Sequence, residues 1–323
     1  MRRRHALSRL NGVDLDLLVL GDANPDLVLS GGDVVPAFGQ AERLVDEALL
    51  TVGGSGAIMA CGAARLGLRV AFAGVVGDDL FGSYMRGQLA ARGIDVGGMV
   101  TDPHRPTGLT VVLSTPEDRA ILTSPGTIGD LRASMIDPVH LRAARHVHVS
   151  SYFLQTALQP DLAGLLEVAR ASDATTSLDP NWDPAGEWDS GLMDLLPAID
   201  LLLPNEMEAT SLGHSSDLDA AIASLRSRGP LVAVKAGARG AVASGPGERV
   251  QVAAVPVESV DATGAGDSFD AGFVTAMLAG EPLDRCLALA NACGALSTRS
   301  AGGVDAQPTM REALDTVAQG STS

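Results

Sequence analysis

The sequence predicts an α/β fold: a mainly parallel central sheet with helices on both faces, and a small second β-sheet set apart from it. Three observations carry this. Short apolar runs recur at Leu15–Gly21, Val70–Gly74, His146–Ser150, Thr176–Asp179, Leu201–Leu203 and Leu231–Lys235, mostly separated by segments long enough for a helix. Such alternation argues parallel strands joined by crossover helices. Two stretches, residues 26 to 51 and 106 to 124, break the alternation with β-rich runs at Asp26–Ser30, Leu44–Val52, Thr107–Leu113 and Arg119–Thr123. They suit the small sheet. Finally, 323 residues with 46% hydrophobic content suffice for one large core, and 3% aromatics make that core aliphatic and alanine-rich. A chain near 300 residues buries about three quarters of its unfolded surface.

Taken in order, the elements place chemistry at one edge. Ligands of such folds bind outside the carboxyl ends of the strands, which is where Asn24, Asp79, Asp179, Asn205 and Gly237 fall. Further along, Arg249 to Val257 reads as a strand, and Phe273, Val274, Met277 and Leu278 recur at helical spacing. Between them lies Asp-Ala-Thr-Gly-Ala-Gly-Asp-Ser-Phe-Asp-Ala-Gly, residues 261 to 272. A glycine turn at a helix start leaves the N–H groups of Gly264, Ala265 and Gly266 without helical partners, and the helix dipole adds positive charge there. An anion would bind at that place. Asp267 would repel an anion in a site that only held phosphate, so its presence suits deprotonation of a hydroxyl beside a phosphoryl group. Ala279-Gly280-Glu281-Pro282 supplies the helix stop.

Composition excludes other classes. A formal charge of −16 argues against nucleic-acid binding, which calls for a basic face. Cys61, Cys286 and Cys293 match neither zinc spacing nor a secreted disulfide framework, and buried packing is the expected role of Cys286 and Cys293 on their alanine-rich helix. Met1 to Arg4 are basic, but no signal-peptide core follows, and no apolar run reaches membrane length. The expected location is the cytoplasm, with no membrane partner.

The twelve-residue string resembles the C-terminal motif of the ribokinase and PfkB family of carbohydrate kinases. Gly53-Gly54-Ser55-Gly56-Ala57, with Ala63-Ala64-Arg65-Leu66-Gly67, is similar to the family's N-terminal motif, and Gly74 to Gly82 to its next strand and turn. Gly21 to Asp26, Pro204 to Glu208, Lys235 to Gly240 and Ala290-Asn291-Ala292 follow the family pattern as well. The resemblance covers roughly residues 14 to 312. It implies a ribokinase-like three-layer sandwich at 14–312, with lid strands within about 26–52 and 106–124, a homodimer through that lid, an extension at 1–13 and a tail at 313–323, disordered after about Ala318.

The same resemblance implies an ATP-dependent kinase acting on a small-molecule sugar or nucleoside, with Mg2+ and a monovalent cation such as K+. A neutral carbohydrate is the expected substrate; a nucleoside kinase and a non-catalytic sugar-binding relative are the alternatives. Asp267 would be the base and Gly264, Ala265 and Gly266 the phosphoryl cradle. Asn24, Asp26, Gly53, Gly54 and Ile58 would border the substrate. Asn205, Lys235, Gly237, Thr263 and Asn291 would approach the nucleotide, Glu208 would support Mg2+ through water, and Asp261 would hold the monovalent cation. Asn205 with Glu208 also fits a helix capping box, and Asn-Pro-Asp at 24–26 also fits a turn.

Two departures bear on the substrate. The family often has asparagine where this chain has Ile58, which makes the pocket less polar. Asp179-Pro180-Asn181-Trp182-Asp183 is similar to the Asp-x-Asn-x-Arg element of some members, with Asp183 in the arginine's place. A bidentate clamp for a carboxylate or phosphate is then missing, unless an arginine such as Arg105 reaches in.

Overall fold

The computed structural model describes residues 15–115 and 119–320. In chain order the strands are β1 Leu15–Leu20, β2 Asn24–Ser30, β3 Glu47–Gly53, β4 Val70–Ala73, β5 Val75–Gly77, β6 Val100–Asp102, β7 Leu109–Ser114, β8 Arg119–Ser124, β9 Ala144–Val149, β10 Thr175–Leu178, β11 Leu201–Leu202, β12 Leu231–Lys235, β13 Ala241–Gly245 and β14 Glu248–Val252. The helices are α1 Ser55–Arg65, α2 Leu80–Ala91, α3 Pro138–Ala143, α4 Gln159–Ala171, α5 Leu192–Leu195, α6 Glu206–Leu212, α7 Leu218–Arg226, α8 Ala265–Ala279, α9 Leu283–Ser297 and α10 Met310–Gly320.

Eight strands form one sheet in the order β14-β13-β12-β11-β10-β9-β1-β4. From β4 to β12 the pairings are parallel, and β13 and β14 close one edge as antiparallel strands. Alternation of side chains sorts two cores onto the two faces. Leu17 and Val19, Leu201 and Leu203, and Ala233 pack with α1, α2, α8 and α9. Leu18, Leu20, Leu202, Val232 and Val234 pack with α3 to α7. In mid-sheet the α8 side turns polar. His146, His148 and Ser177 are buried there, with Ser177 Oγ 2.7 Å from His146 Nε2 and 2.7 Å from His148 Nδ1. Burial drives both imidazoles to the neutral form, His146 to a pKa of about 3 and His148 to about 4.

A second sheet, ordered β3-β2-β7-β8, stands where the small sheet was expected. β2 pairs antiparallel with β3 and parallel with β7, which pairs antiparallel with β8. Three sequence readings need correction. The strand read as Arg249 to Val257 ends at Val252, and a loop to Gly264 separates it from α8. β13 and β6 did not stand out as apolar runs, whereas β5 falls where the strand at the start of Gly74 to Gly82 was expected. Residues 313 to 320, expected as a tail, lie in α10, whose Ala313 is buried and whose Val317 packs on the core. The extension at 1–13 and residues 321–323 lie outside the described residues.

Candidate active site

The glycine turn starts α8 with Gly264 at φ 71°, in the left-handed region. A Cβ there would sit 2.8 Å from Gly303 Cα and 2.9 Å from Ile58 Cγ2, so both the dihedral and the space require glycine. Ala265 N–H makes a 3.3 Å bond to Ala262 O, which narrows the expected cradle. Among the described residues, the N–H groups of Gly264 and Gly266 have no acceptor outside the helix itself and mark its positive end.

Asp267 lies in the first turn of α8 and is partly exposed. Polar groups lead toward it: Asn181 Nδ2 donates to Ser55 Oγ at 3.0 Å, and the Ser55 hydroxyl favours the charged form of the Asp267 carboxyl. Desolvation holds its carboxyl well above the ordinary range, and the Asp179 charge adds to this, while Lys235 and the Ser55 hydroxyl oppose it.

Lys235, at the end of β12, is bonded within the protein. Its Nζ lies 2.9 Å from Asp179 Oδ2 and 2.9 Å from Asp270 Oδ2, with the side chain 13% exposed. Two carboxylates raise its pKa well above the usual lysine value despite burial. Lys235 also lines the cavity beside the glycine turn, so this internal ion pair holds it at the edge of the expected nucleotide site.

On the recognition side, Asn24 and Asp26 leave β2 toward the same edge, both buried. Asn24 Nδ2 donates to Thr110 Oγ1 at 3.1 Å and lies 3.4 Å from Asp26 Oδ1. Burial, then the nearby Asp22 charge, push Asp26 up to about 7. Gly53 is needed for close approach, since a Cβ on it would fall 2.0 Å from Asp26 Oδ1. A Cβ on Gly54 would lie 3.0 Å from Asn24 Oδ1, so this turn too abuts the recognition residues. Asp22 anchors the start of α1: its carboxylate accepts from Ser55 N at 3.2 Å, Gly56 N at 3.1 Å and Ser151 Oγ at 3.0 Å.

Beyond the turn, a cavity of about 580 Å³ is lined by Gly237, Ala254, Val255, Ala265, Gly266 and Asn291, among others. A larger one of about 990 Å³ lies across the 252–257 segment, toward Arg299 and α10. The smaller cavity touches the glycine turn and so belongs to the site. Asn291 Nδ2 donates to Val252 O and Ala253 O, both at 3.2 Å, which ties down the loop walling the cavity. Asn205 and Glu208 form a reciprocal capping box at α6, with bonds of 2.8 Å each way. Burial and the neighbouring Asp179 raise Glu208 to about 7. Asp261 accepts from Thr263 N at 2.9 Å, Thr263 Oγ1 at 2.7 Å and Gly302 N at 2.9 Å. Arg119, from β8 of the small sheet, donates to Thr263 Oγ1 at 3.0 Å and lies 3.6 Å from Asp261 Oδ1.

Asp267, Asn24, Asp26, Gly54, Lys235 and Glu208 thus converge near one sheet edge. Three expectations change. Ile58 is 3% exposed and packs beneath Gly264 and Gly303, so it supports the turn. Asp183 is buried because it caps its own loop, accepting from Ala185 N at 2.9 Å and Trp188 N at 2.7 Å. Arg105 pairs with Asp130 and Gly126 O, while the arginine that reaches the site is Arg119. Ser55, Ser151, Asn181, Thr110 and Asp270 were missed. Of these, Ser55, Asn181 and Asp270 stood inside quoted motifs, Asp270 one helical turn after Asp267, whereas Ser151 and Thr110 carried no local signal.

Comparison with known proteins bears on this geometry. A family model described as pfkB family carbohydrate kinase matches residues 14–310. The fructokinase of Salmonella typhimurium is 34% identical over 277 residues, covering 80% of this chain and 90% of that protein. The ribokinase of Haemophilus influenzae is 30% identical over 311 residues, covering 93% and 97%. A candidate Ribokinase II from E. coli, solved in complex with ATP and Mg2+, superposes with a TM-score of 0.84 at 27% identity, covering 94% of this chain and 99% of that one. With a glycine turn, a carboxylate in the helix that follows it and the start of β2 near one edge, the chain belongs to the pfkB family of carbohydrate kinases.

Proposed function

We propose that the protein transfers the γ-phosphoryl group of ATP to a hydroxyl of a neutral carbohydrate, with Asp267 as the base. The observation that carries this is Asp267 in the first turn of α8, beside the open N–H groups of Gly264 and Gly266. Asn24 and Asp26 would order the sugar hydroxyls, an ionised aspartate accepting from vicinal O–H groups. Asp267 would take the proton of the attacking hydroxyl, and the turn N–H groups would stabilise charge on the transferring phosphoryl. No arginine stands at position 183, which favours a neutral substrate. The cavity of about 580 Å³ has the size of a nucleotide cleft.

Mg2+ fits the donor set through Glu208 and Asp267, whose oxygens suit a hard cation, and it would supply charge to the phosphates. Both Glu208 oxygens already accept from Asn205, which is consistent with a role through water. At Asp261, where a monovalent cation such as K+ would bind, the carboxylate already accepts from three protein donors and has the Arg119 guanidinium beside it, which weakens it as a K+ ligand. The lid exposes Leu50, Ile121 and Leu122 on its edge strands, an apolar surface that a homodimer would cover. ATP use and three buried free thiols accord with a reducing cytoplasm. Among the described residues no helix is long and apolar enough to cross a membrane.

ADP release against sugars, polyols and nucleosides tests the reading and separates sugar from nucleoside. Asp267→Asn should lower kcat about 10²- to 10⁴-fold while sugar affinity stays within a few-fold. Near-normal turnover would remove Asp267 as the base.

A further inference from the structure

We propose that Arg119 is a positioning residue for the glycine turn: by bonding Thr263 and pairing with Asp261, it ties the small sheet that carries Asn24 and Asp26 to the segment that presents Gly264 and Gly266. The sheet and the turn then set one another's position, so sugar and nucleotide bind cooperatively. This rests on the kinase reading above.

The link can be followed bond by bond. Asn24 Nδ2 donates to Thr110 Oγ1 on β7 at 3.1 Å, and Thr110 Oγ1 lies 3.2 Å from Thr123 Oγ1 on β8. β8 thus shares a polar row with β2, and its first residue is Arg119. From there Arg119 Nη1 donates to Thr263 Oγ1 at 3.0 Å, across 144 positions of chain, and stands 3.6 Å from Asp261 Oδ1. The Thr263 hydroxyl gives its own proton to Asp261 Oδ1 at 2.7 Å, which leaves its oxygen to accept from the guanidinium. Asp261 is the hub, since it also accepts from Thr263 N and Gly302 N, both at 2.9 Å.

The place of these bonds gives them their effect. Thr263 immediately precedes Gly264, whose left-handed dihedral opens the turn. Gly302 adjoins Gly303, against which Gly264 packs, and a Cβ on Gly302 would meet Thr51 Cγ2 at 2.9 Å. Thr51 lies on β3, opposite Asp26. The small sheet therefore meets the supports of the turn twice, by packing at Thr51 and by a directional, charge-assisted contact at Arg119. With its side chain 39% exposed, the Arg119 pair adds little to overall stability. What it fixes is where Thr263, and so the N–H groups that follow, stand relative to the sugar residues.

The test uses Arg119→Met, Thr263→Val, their double variant and Thr263→Ser. Calorimetry measures how far D-ribose or D-fructose tightens binding of the non-hydrolysable ATP analogue AMP-PNP with Mg2+. The factor should be about fivefold or more in wild type and about twofold or less in Arg119→Met. Thr263→Val should reproduce that loss, the double variant should be no worse than either single one, and Thr263→Ser, which keeps the hydroxyl, should retain the wild-type factor. A second readout needs no ligand: amide hydrogen exchange over residues 261–266 should quicken about threefold in Arg119→Met, with α4 and β12 at wild-type rates. An unchanged factor in folded Arg119→Met overturns the proposal, as does a wild type in which neither bound sugar moves AMP-PNP affinity. So do additive losses in the double variant, or a weakened sugar affinity alone, which would make Arg119 a substrate ligand. Exchange that stays unmoved at 261–266, or rises equally in α4 and β12, also refutes it. If Arg119→Met fails to fold, Thr263→Val decides by the same exchange measurement. Absence of ADP release from wild type on every substrate would defeat the kinase reading, while the exchange rates still decide the tie.

Discussion

Asp26 gives the most direct quantitative expectation. In the unfolded chain its carboxyl titrates near 3.8, and in the fold burial and Asp22 move it to about 7. The charged form is therefore disfavoured by folding. The sign follows: between these values the folded state holds the proton that the unfolded state has lost, so this group's contribution to stability falls as pH rises from about 4 to about 7 and is constant above. At 1.36 kcal/mol per unit, the full penalty above pH 7 is about 4 kcal/mol, and about 3 of these separate pH 8 from pH 5. Asp26 is only 5% exposed, so little of this is screened. Asparagine is close to isosteric, never ionises and can still bond Thr110. Asp26→Asn should then stabilise the ligand-free protein at pH 8 by several kcal/mol more than at pH 5, while weakening sugar binding. Urea unfolding at the two pH values, variant against wild type, isolates this residue from the other buried acids. Equal differences at pH 5 and pH 8 would show that Asp26 carries no such penalty in the fold.

Other expectations are simpler. Gly264→Ala forces a Cβ into a left-handed position 2.8 Å from Gly303 Cα. It should cost about 1–3 kcal/mol, read as a lower Tm, and reduce kcat; an unchanged Tm would contradict the close packing. Asn291→Ala frees the 253–264 loop, and should raise the ATP KM with sugar KM unchanged, as steady-state kinetics would show. Burial pushes Cys61 and Cys293 up to about 12 and Cys286 to about 11. A thiol reagent should leave all three unmodified in native protein and label them in denaturant; rapid native labelling would place one at the surface.

Much of the scaffold was legible in the chain because both of its signals are local. Six strands of the large sheet announce themselves as short apolar runs, since each is buried on both faces. The glycine turn and Asp267 sit within a dozen residues, so their relation survives in sequence. β13 hid because Ala241–Gly245 is made of small residues that carry little β signal. α10 was misread as tail because only one stripe of it is apolar. What escaped most were partnerships across the sheet. Lys235 finds Asp179, 56 positions away, and Asp270, 35 away, only because strand order brings β10, β12 and α8 together. Ile58 was judged by its polarity, when its role is decided by Gly264 and Gly303 from the far end of the chain.

The loop after β10 sets a rule for redesigning this enzyme. An aligned arginine at position 183 looks like a single-step route to acidic sugars, yet the carboxylate there holds Ala185 N and Trp188 N, and so fixes the segment carrying Asn181. Exchanging it would release that segment and the Asn181 bond to Ser55 before any new ligand could be gripped. One short loop thus ties Asp183 to Asn181 and, through it, to Ser55 at the start of α1, so a change of substrate is better engineered around Asp183 than through it.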